Sequence, residues 1–257
     1  MGFGQVREVA RFTLLEALRT RLPWLALAVV LLGALLAELA AGLALSDARG
    51  YRLEVYAAWT RLALVACVCL AVATSVAREF GARGIDLLLS RPVSRGAWFA
   101  GRLLGHGTAA VLVALAASLP LYLDAAPAGA LAWGLSLALE LAVVAAASLT
   151  CAVALHQLTA AALTVGGFYL LARAIDAMQL MSSGPALEPG AWSSVVIARG
   201  VALLALLLPP LERYTRSAWL FDGVGALAAL PPLVLQGLAY LALLAAVGWF
   251  DFSRREI

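Results

Sequence analysis

The stretch Arg78-Glu-Phe-Gly-Ala-Arg-Gly-Ile-Asp-Leu-Leu-Leu-Ser-Arg-Pro-Val-Ser-Arg-Gly-Ala-Trp-Phe-Ala-Gly-Arg102 decides how the chain is read. It is the most charged segment of a very apolar sequence. Arg78, Arg83, Arg91, Arg95 and Arg102 stand beside the carboxylates Glu79 and Asp86. Between them Ile85, Leu87, Leu88 and Leu89 make a short apolar patch, stopped by Ser90 and the helix-breaking Pro92. Long apolar runs flank it on both sides. A short, arginine-rich amphipathic helix between two such runs belongs at the cytoplasmic face of a membrane. The alternative is a positive loop that only fixes topology.

The flanking runs set the class. The chain has 257 residues, 64% hydrophobic and 13% charged, with a mean hydropathy of +0.96. A soluble domain carries about 25% charged residues, and several runs here reach the roughly 20 residues that cross a bilayer as a helix. The expected fold is all-α and polytopic, one membrane domain with six spans at about 22–45, 57–77, 103–123, 130–155, 159–175 and 230–250. Residues 2–21 alternate Phe3, Val6, Ala10, Thr13, Leu14 and Ala17 with charged positions, as an amphipathic elbow helix lying on the membrane would. Residues 78–102 form the cytoplasmic loop, and 176–229 an extracytoplasmic segment. Within the latter, 195–208 is apolar but short, carries Arg199 and ends at Pro209-Pro210. It reads as a re-entrant or interfacial helix. The first apolar run is too long for the core of a cleavable signal.

Arginine placement orients the bundle. One side receives Arg7, Arg11, Arg19 and Arg21, the five arginines of 78–102, and Arg254 and Arg255. The other receives Arg49, Arg52 and the scattered Arg199, Arg213 and Arg216. The first set is denser and closer to the spans, so both termini are expected in the cytoplasm.

Composition also excludes chemistry. All 18 basic residues are arginine. A P-loop needs its lysine on the phosphates, so this chain is not itself a Walker-type ATPase. Cys67, Cys69 and Cys151 lie inside apolar runs, and Cys67 and Cys69 point to opposite helix faces; small packing residues are expected. Two histidines, His106 and His156, form no metal motif, and Met181-Ser-Ser-Gly184 lacks the first glycine of an intramembrane serine protease. No catalytic group, metal, cofactor or nucleic-acid partner is expected for the chain itself.

Several charges fall within the spans. Glu38 and Glu140 are expected to line a translocation path or to pair between helices. Arg61 either snorkels outward or pairs with Glu38, and Arg173 and Asp176, three apart on one face, can pair with each other. Gly101 and Gly105 make a small-xxx-small pair suited to close helix packing.

The run from Glu79 to Arg95, with Gly101-Arg102 after it, resembles the first cytoplasmic loop of ABC-2 type permeases. More narrowly, it is similar to the branch linked to multicopper-enzyme maturation, the kind found with nitrous oxide reductase. The matching positions are Glu79, Leu88, Leu89, Ser90, Arg91, Pro92, Val93, Ser94, Arg95, Gly101 and Arg102; Gly84 departs from the usual threonine or serine. Leu208-Pro-Pro-Leu-Glu-Arg213 and the tail Phe252-Ser-Arg-Arg-Glu256 are similar to segments around that family's last span. The resemblance implies a permease subunit of an exporter in a bacterial inner membrane, a dimer bound to two copies of a separate ATPase that carries the ATP and magnesium. It allows a periplasmic accessory protein as a further partner. It implies that the loop carries a coupling helix, with Ile85, Leu87 and Leu88 as a buried anchor. Glu79, Arg83, Asp86, Arg91 and Arg95 would pair around its rim. The readings weighed against it are an ion-coupled carrier, which Glu38 and Glu140 could serve, and an integral-membrane enzyme. The cargo is not legible in the alanine- and leucine-rich spans.

Overall fold

A computed structural model describes residues 3–79, 94–182, 192–223 and 225–254. Among them there is no strand, and six helices are long and apolar enough to cross a membrane. In chain order the helices are α1 (Phe3–Arg19), α2 (Leu22–Leu43), α3 (Ala48–Glu79), α4 (Arg95–Ser118), α5 (Pro127–Leu155), α6 (Leu158–Ser182), α7 (Trp192–Leu207), α8 (Ala218–Asp222) and α9 (Leu230–Arg254). The candidate spans are α2, α3, α5, α6, α9, and α4 together with the short 3-10 turn Leu119–Leu123 that follows it.

Local chemistry sets the ends of these helices. Asp47 precedes α3 and accepts the Gly50 N–H at 2.9 Å, and Ser94 precedes α4 and accepts the Ala97 N–H at 3.3 Å. Both satisfy backbone donors that the first turn leaves orphaned. Pro127 opens α5, where its missing N–H costs nothing. Pro120 narrows the end of α4 into the 3-10 turn.

α5 is the axis of the bundle. It packs against α3, α4, α6, α8 and α9, and 78% of its apolar window is buried, against 17% for α9 and 28% for α2. Its sequence explains this. Gly129, Ala130, Ala132, Gly134, Ser136 and Ala138 let neighbouring backbones come close, while Trp133, Leu137, Leu141 and Leu149 fill the space between and are fully buried. A Cβ at Gly129 would collide with the Trp219 carbonyl, and one at Gly134 would lie 2.7 Å from the Ser118 hydroxyl. The peripheral helices present leucines outward instead, Leu31, Leu35 and Leu39 on α2 and Leu235, Leu238 and Leu243 on α9. That is the surface a lipid environment tolerates.

Both ends of the described chain lie at one end of the bundle. α1 packs across the first turns of α4, and Phe252 near the end of α9 stacks on Trp98 of α4 at 5.2 Å. Arg49, Arg52 and Asp124 gather at the opposite end.

Three sequence expectations are corrected. The second span does not begin at about 57: α3 is helical from Ala48, and its length of about 48 Å exceeds the roughly 30 Å apolar core of a bilayer. α6 continues through Asp176 to Ser182. The face of α1 assigned to the membrane instead docks on α4. Val6 and Val9 meet Gly101, and Ala10 and Thr13 meet Gly105, while Phe3, Phe12, Leu15 and Leu18 point outward. The α7 segment bends by 62° between 195–207 and 211–221.

Candidate functional site

Six of the eight residues expected to couple to an ATPase, Arg83, Ile85, Asp86, Leu87, Leu88 and Arg91, lie outside the described residues. Glu79 closes α3 and Arg95 opens α4, so the structure gives the two posts on which residues 80–93 are strung. Arg95 is exposed. Glu79 is not: it folds inward onto a buried arginine rather than standing on the rim of the loop.

That arginine is Arg102, two turns into α4 and only 1% exposed along its side chain. Its Nε donates to Glu79 Oε2 at 3.1 Å, its Nη2 faces the other Glu79 oxygen, and its Nη1 donates to Glu16 Oε2 at 2.7 Å. Ser75 of α3 donates to Glu16 Oε1 at 2.9 Å, and Arg78 reaches the same oxygen at 3.8 Å. Trp98 lies beneath the guanidinium at 5.9 Å. One arginine thus ties together α1, the end of α3 and the start of α4. Glycine makes this geometry reachable, because Gly101 and Gly105 let α1 sit close enough for Glu16 to arrive. Burial pushes the Glu16 carboxyl up, but the hydrogen bond and charge of Arg102, with the Ser75 hydroxyl, outweigh it and hold Glu16 below the usual carboxylate range.

A second cluster lies deeper. Glu140 of α5 is fully buried and both its oxygens are occupied. Tyr169 donates to Oε1 at 2.9 Å, Thr215 to Oε2 at 3.0 Å, and Arg173 lies 3.4 Å from Oε1. Arg173 also donates to the Leu211 carbonyl at 3.0 Å. Arg61 of α3 approaches the Thr215 carbonyl at 3.4 Å. The Thr215 N–H donates to Ser136 at 3.0 Å, in a left-handed turn with φ of 43°. The knot therefore pins the 211–215 turn against α3, α5 and α6.

The sequence brought the right charges forward with the wrong partners. Arg61 does not pair with Glu38; half-buried, it turns to the Glu140 cluster. Glu38 is 63% exposed and pairs with Arg52 at 3.1 Å, and Arg52 also holds Asp124 at 3.1 Å. Arg173 and Asp176 part company, Asp176 binding Arg213 at 3.2 Å. Glu16, Ser75, Tyr169 and Thr215 were missed. Glu16 had one available signal, a carboxylate on the small-residue side of α1. Thr215, in an irregular turn, had none.

No protein-family model matches the chain, and no curated protein matches it either. What the described residues establish is a multi-pass helical membrane protein.

Proposed function

We propose that this chain is the membrane-spanning subunit of an ABC-2 type exporter, driven by a separate ATPase that docks on residues 80–93. The observation that carries the reading is the Glu79–Arg102–Glu16 clamp. A loop that receives a mechanical stroke needs its force passed to the helices, and here both posts of the loop are locked to each other and to α1. A push on residues 80–93 would move α1, α3 and α4 as one body against α5, a rigid-body change of the kind that alternates access. Ile85, Leu87 and Leu88 are the apolar anchor for the ATPase, with Arg83, Asp86, Arg91 and Arg95 pairing around it. Glu79 belongs to the clamp behind it.

In this reading the protein is a homodimer in a bacterial inner membrane, with both termini, the clamp and residues 80–93 in the cytoplasm. The α7 segment is a re-entrant hairpin: it is tied to Arg173 at its turn and returns to the start of α5, where the Ala126 N–H donates to the Leu220 carbonyl at 3.3 Å. It thus begins and ends on the extracytoplasmic side.

The test is purification of the tagged protein from its native membranes in mild detergent, assayed for a bound ATPase and ATP turnover. A stoichiometric ATPase, lost in Ile85→Asp and Leu88→Asp, is expected. Glu79→Gln should keep the ATPase bound but uncouple its turnover from transport. A clean preparation with no ATPase in any of several detergents rejects the reading.

A further inference from the structure

A groove of about 960 Å³ opens beside the clamp, walled by the end of α1, the start of α2, the second half of α3 and part of α4. This is at the upper end of the roughly 300–1,000 Å³ typical of ligand sites. Its two halves differ in chemistry. Arg19, Arg21 and Arg78 stand along one side, all exposed. Against these three the wall holds one carboxylate, Glu16, which Arg102 occupies at 2.7 Å and Arg78 reaches at 3.8 Å, so the rim keeps a net positive charge. Apart from Thr20, Thr74, Ser75 and His106 the rest of the lining is apolar, including Leu25, Leu70, Ala71 and Ala110, with Trp24 71% exposed at the edge. Between the two halves stands His106. It is only 6% exposed, yet its Nε2 has no hydrogen-bond partner.

A buried nitrogen left unpaired costs free energy that a bound partner would recover. A cationic rim, a buried polar nitrogen and an apolar trough along membrane-spanning helices describe an amphiphile read from head to tail. We propose that the groove binds one anionic glycerophospholipid. Its phosphate sits among Arg19, Arg21 and Arg78, an ester oxygen meets His106, and an acyl chain lies along Leu25, Leu70 and Ala71. The arginines supply the charge-assisted contacts that favour phosphate, and Trp24 marks the depth of the headgroups. A free phosphate would use only the rim and leave the trough and His106 unfilled. The bound lipid would lie against the clamp, because Glu16, Ser75 and Arg78 belong to both. The proposal does not rest on the ATPase reading.

The experiment uses the full chain in nanodiscs of phosphatidylcholine with a minority of phosphatidylglycerol, released into native mass spectrometry. One phosphatidylglycerol retained in preference to phosphatidylcholine is expected. Arg19→Gln/Arg21→Gln should lower that occupancy at least about tenfold, given the attraction each basic residue exerts on anionic lipid. Ala71→Trp, which fills the trough without touching charge, should lower it as well, so the result does not hang on one variant's folding. His106→Leu should weaken both lipids alike. Equal retention of the two lipids, or occupancy unmoved by the arginine and tryptophan variants, overturns the proposal. So does inorganic phosphate that displaces the lipid and raises the melting temperature alone as much as the lipid does.

Discussion

Arg102 is the residue on which the arginine-rich end of the bundle depends. Its guanidinium is out of water and held between two carboxylates from two other helices, Nε on Glu79 and Nη1 on Glu16. Removing one partner of such a buried pair is far more damaging than never having had it, on the order of 3–5 kcal/mol. Arg102→Ala is therefore expected to lower the melting temperature in detergent markedly, and Glu16→Gln by much less, because the glutamine carbonyl still accepts from Arg102 while its amide donates to the Ser75 hydroxyl in place of the bond Ser75 now gives. Equal melting of wild type and Arg102→Ala would remove the clamp from the account. Glu16 also gives a pH signature. Its folded-state value lies below the ordinary 4.5, so its contribution is complete above about pH 4.5 and is lost as pH falls through the lower folded value. Wild type should lose stability on acidification over that window while Glu16→Gln loses less, as paired thermal melts would report. Glu140 makes the same point deeper in the bundle. Glu140→Ala removes the negative charge opposite Arg173 and the carboxylate that Thr215 and Tyr169 donate to, and should cost about 3 kcal/mol. Glu140→Gln should be milder, and protease sensitivity around 208–217 is the measurement.

At the scale of elements, the contact between α1 and α4 depends on two glycines. The Cβ that any other residue would bring at Gly105 lies 2.5 Å from the Thr13 Cβ, and at Gly101 equally close to Val9. Gly105→Leu should prise α1 from α4, break the Glu16–Arg102 ion pair with it, and expose α1 to limited proteolysis while α2 to α9 stay assembled. An unchanged digestion pattern would show that α1 is held by something other than this close approach. The helix ends show a different limit. Asp47 three residues before Gly50 is a readable N-cap, and no glycine or proline interrupts 168–182, so α3 and α6 could have been given their full lengths from sequence. Polarity was allowed to outweigh the absence of a helix breaker.

For the whole molecule, the structure places the described ends of the chain at one end of the bundle and the Arg52–Asp124 pair at the other. Single cysteines in a background lacking Cys67, Cys69 and Cys151 test this directly. Labelling of intact cells with a membrane-impermeant thiol reagent should reach a cysteine at Arg49 and not one at Arg254. Labelling of both from outside would refute the six-span arrangement. The deep cluster and the arginine-rich clamp would then sit at opposite depths of the same bundle, joined by α3, which contributes Arg61 to one and Ser75 and Glu79 to the other.

The sequence by itself determined the class. Apolar runs long enough to satisfy every backbone group inside a bilayer leave only helices, and a 3.6-residue period with readable breakers gives their approximate number and order. It also identified Glu38, Arg61, Glu140 and Arg173 as charges that need an explanation. Which charge answers which was decided only by the tertiary structure. A helix carries its side chains around a full turn, and pairing depends on how each helix is rotated and how deeply it is set, which packing fixes. Glycines on α4 admitted α1 and so delivered Glu16 to Arg102. A small-residue α5 became the axis and so carried Glu140 to Tyr169, Arg173 and Thr215 from segments far away in the chain.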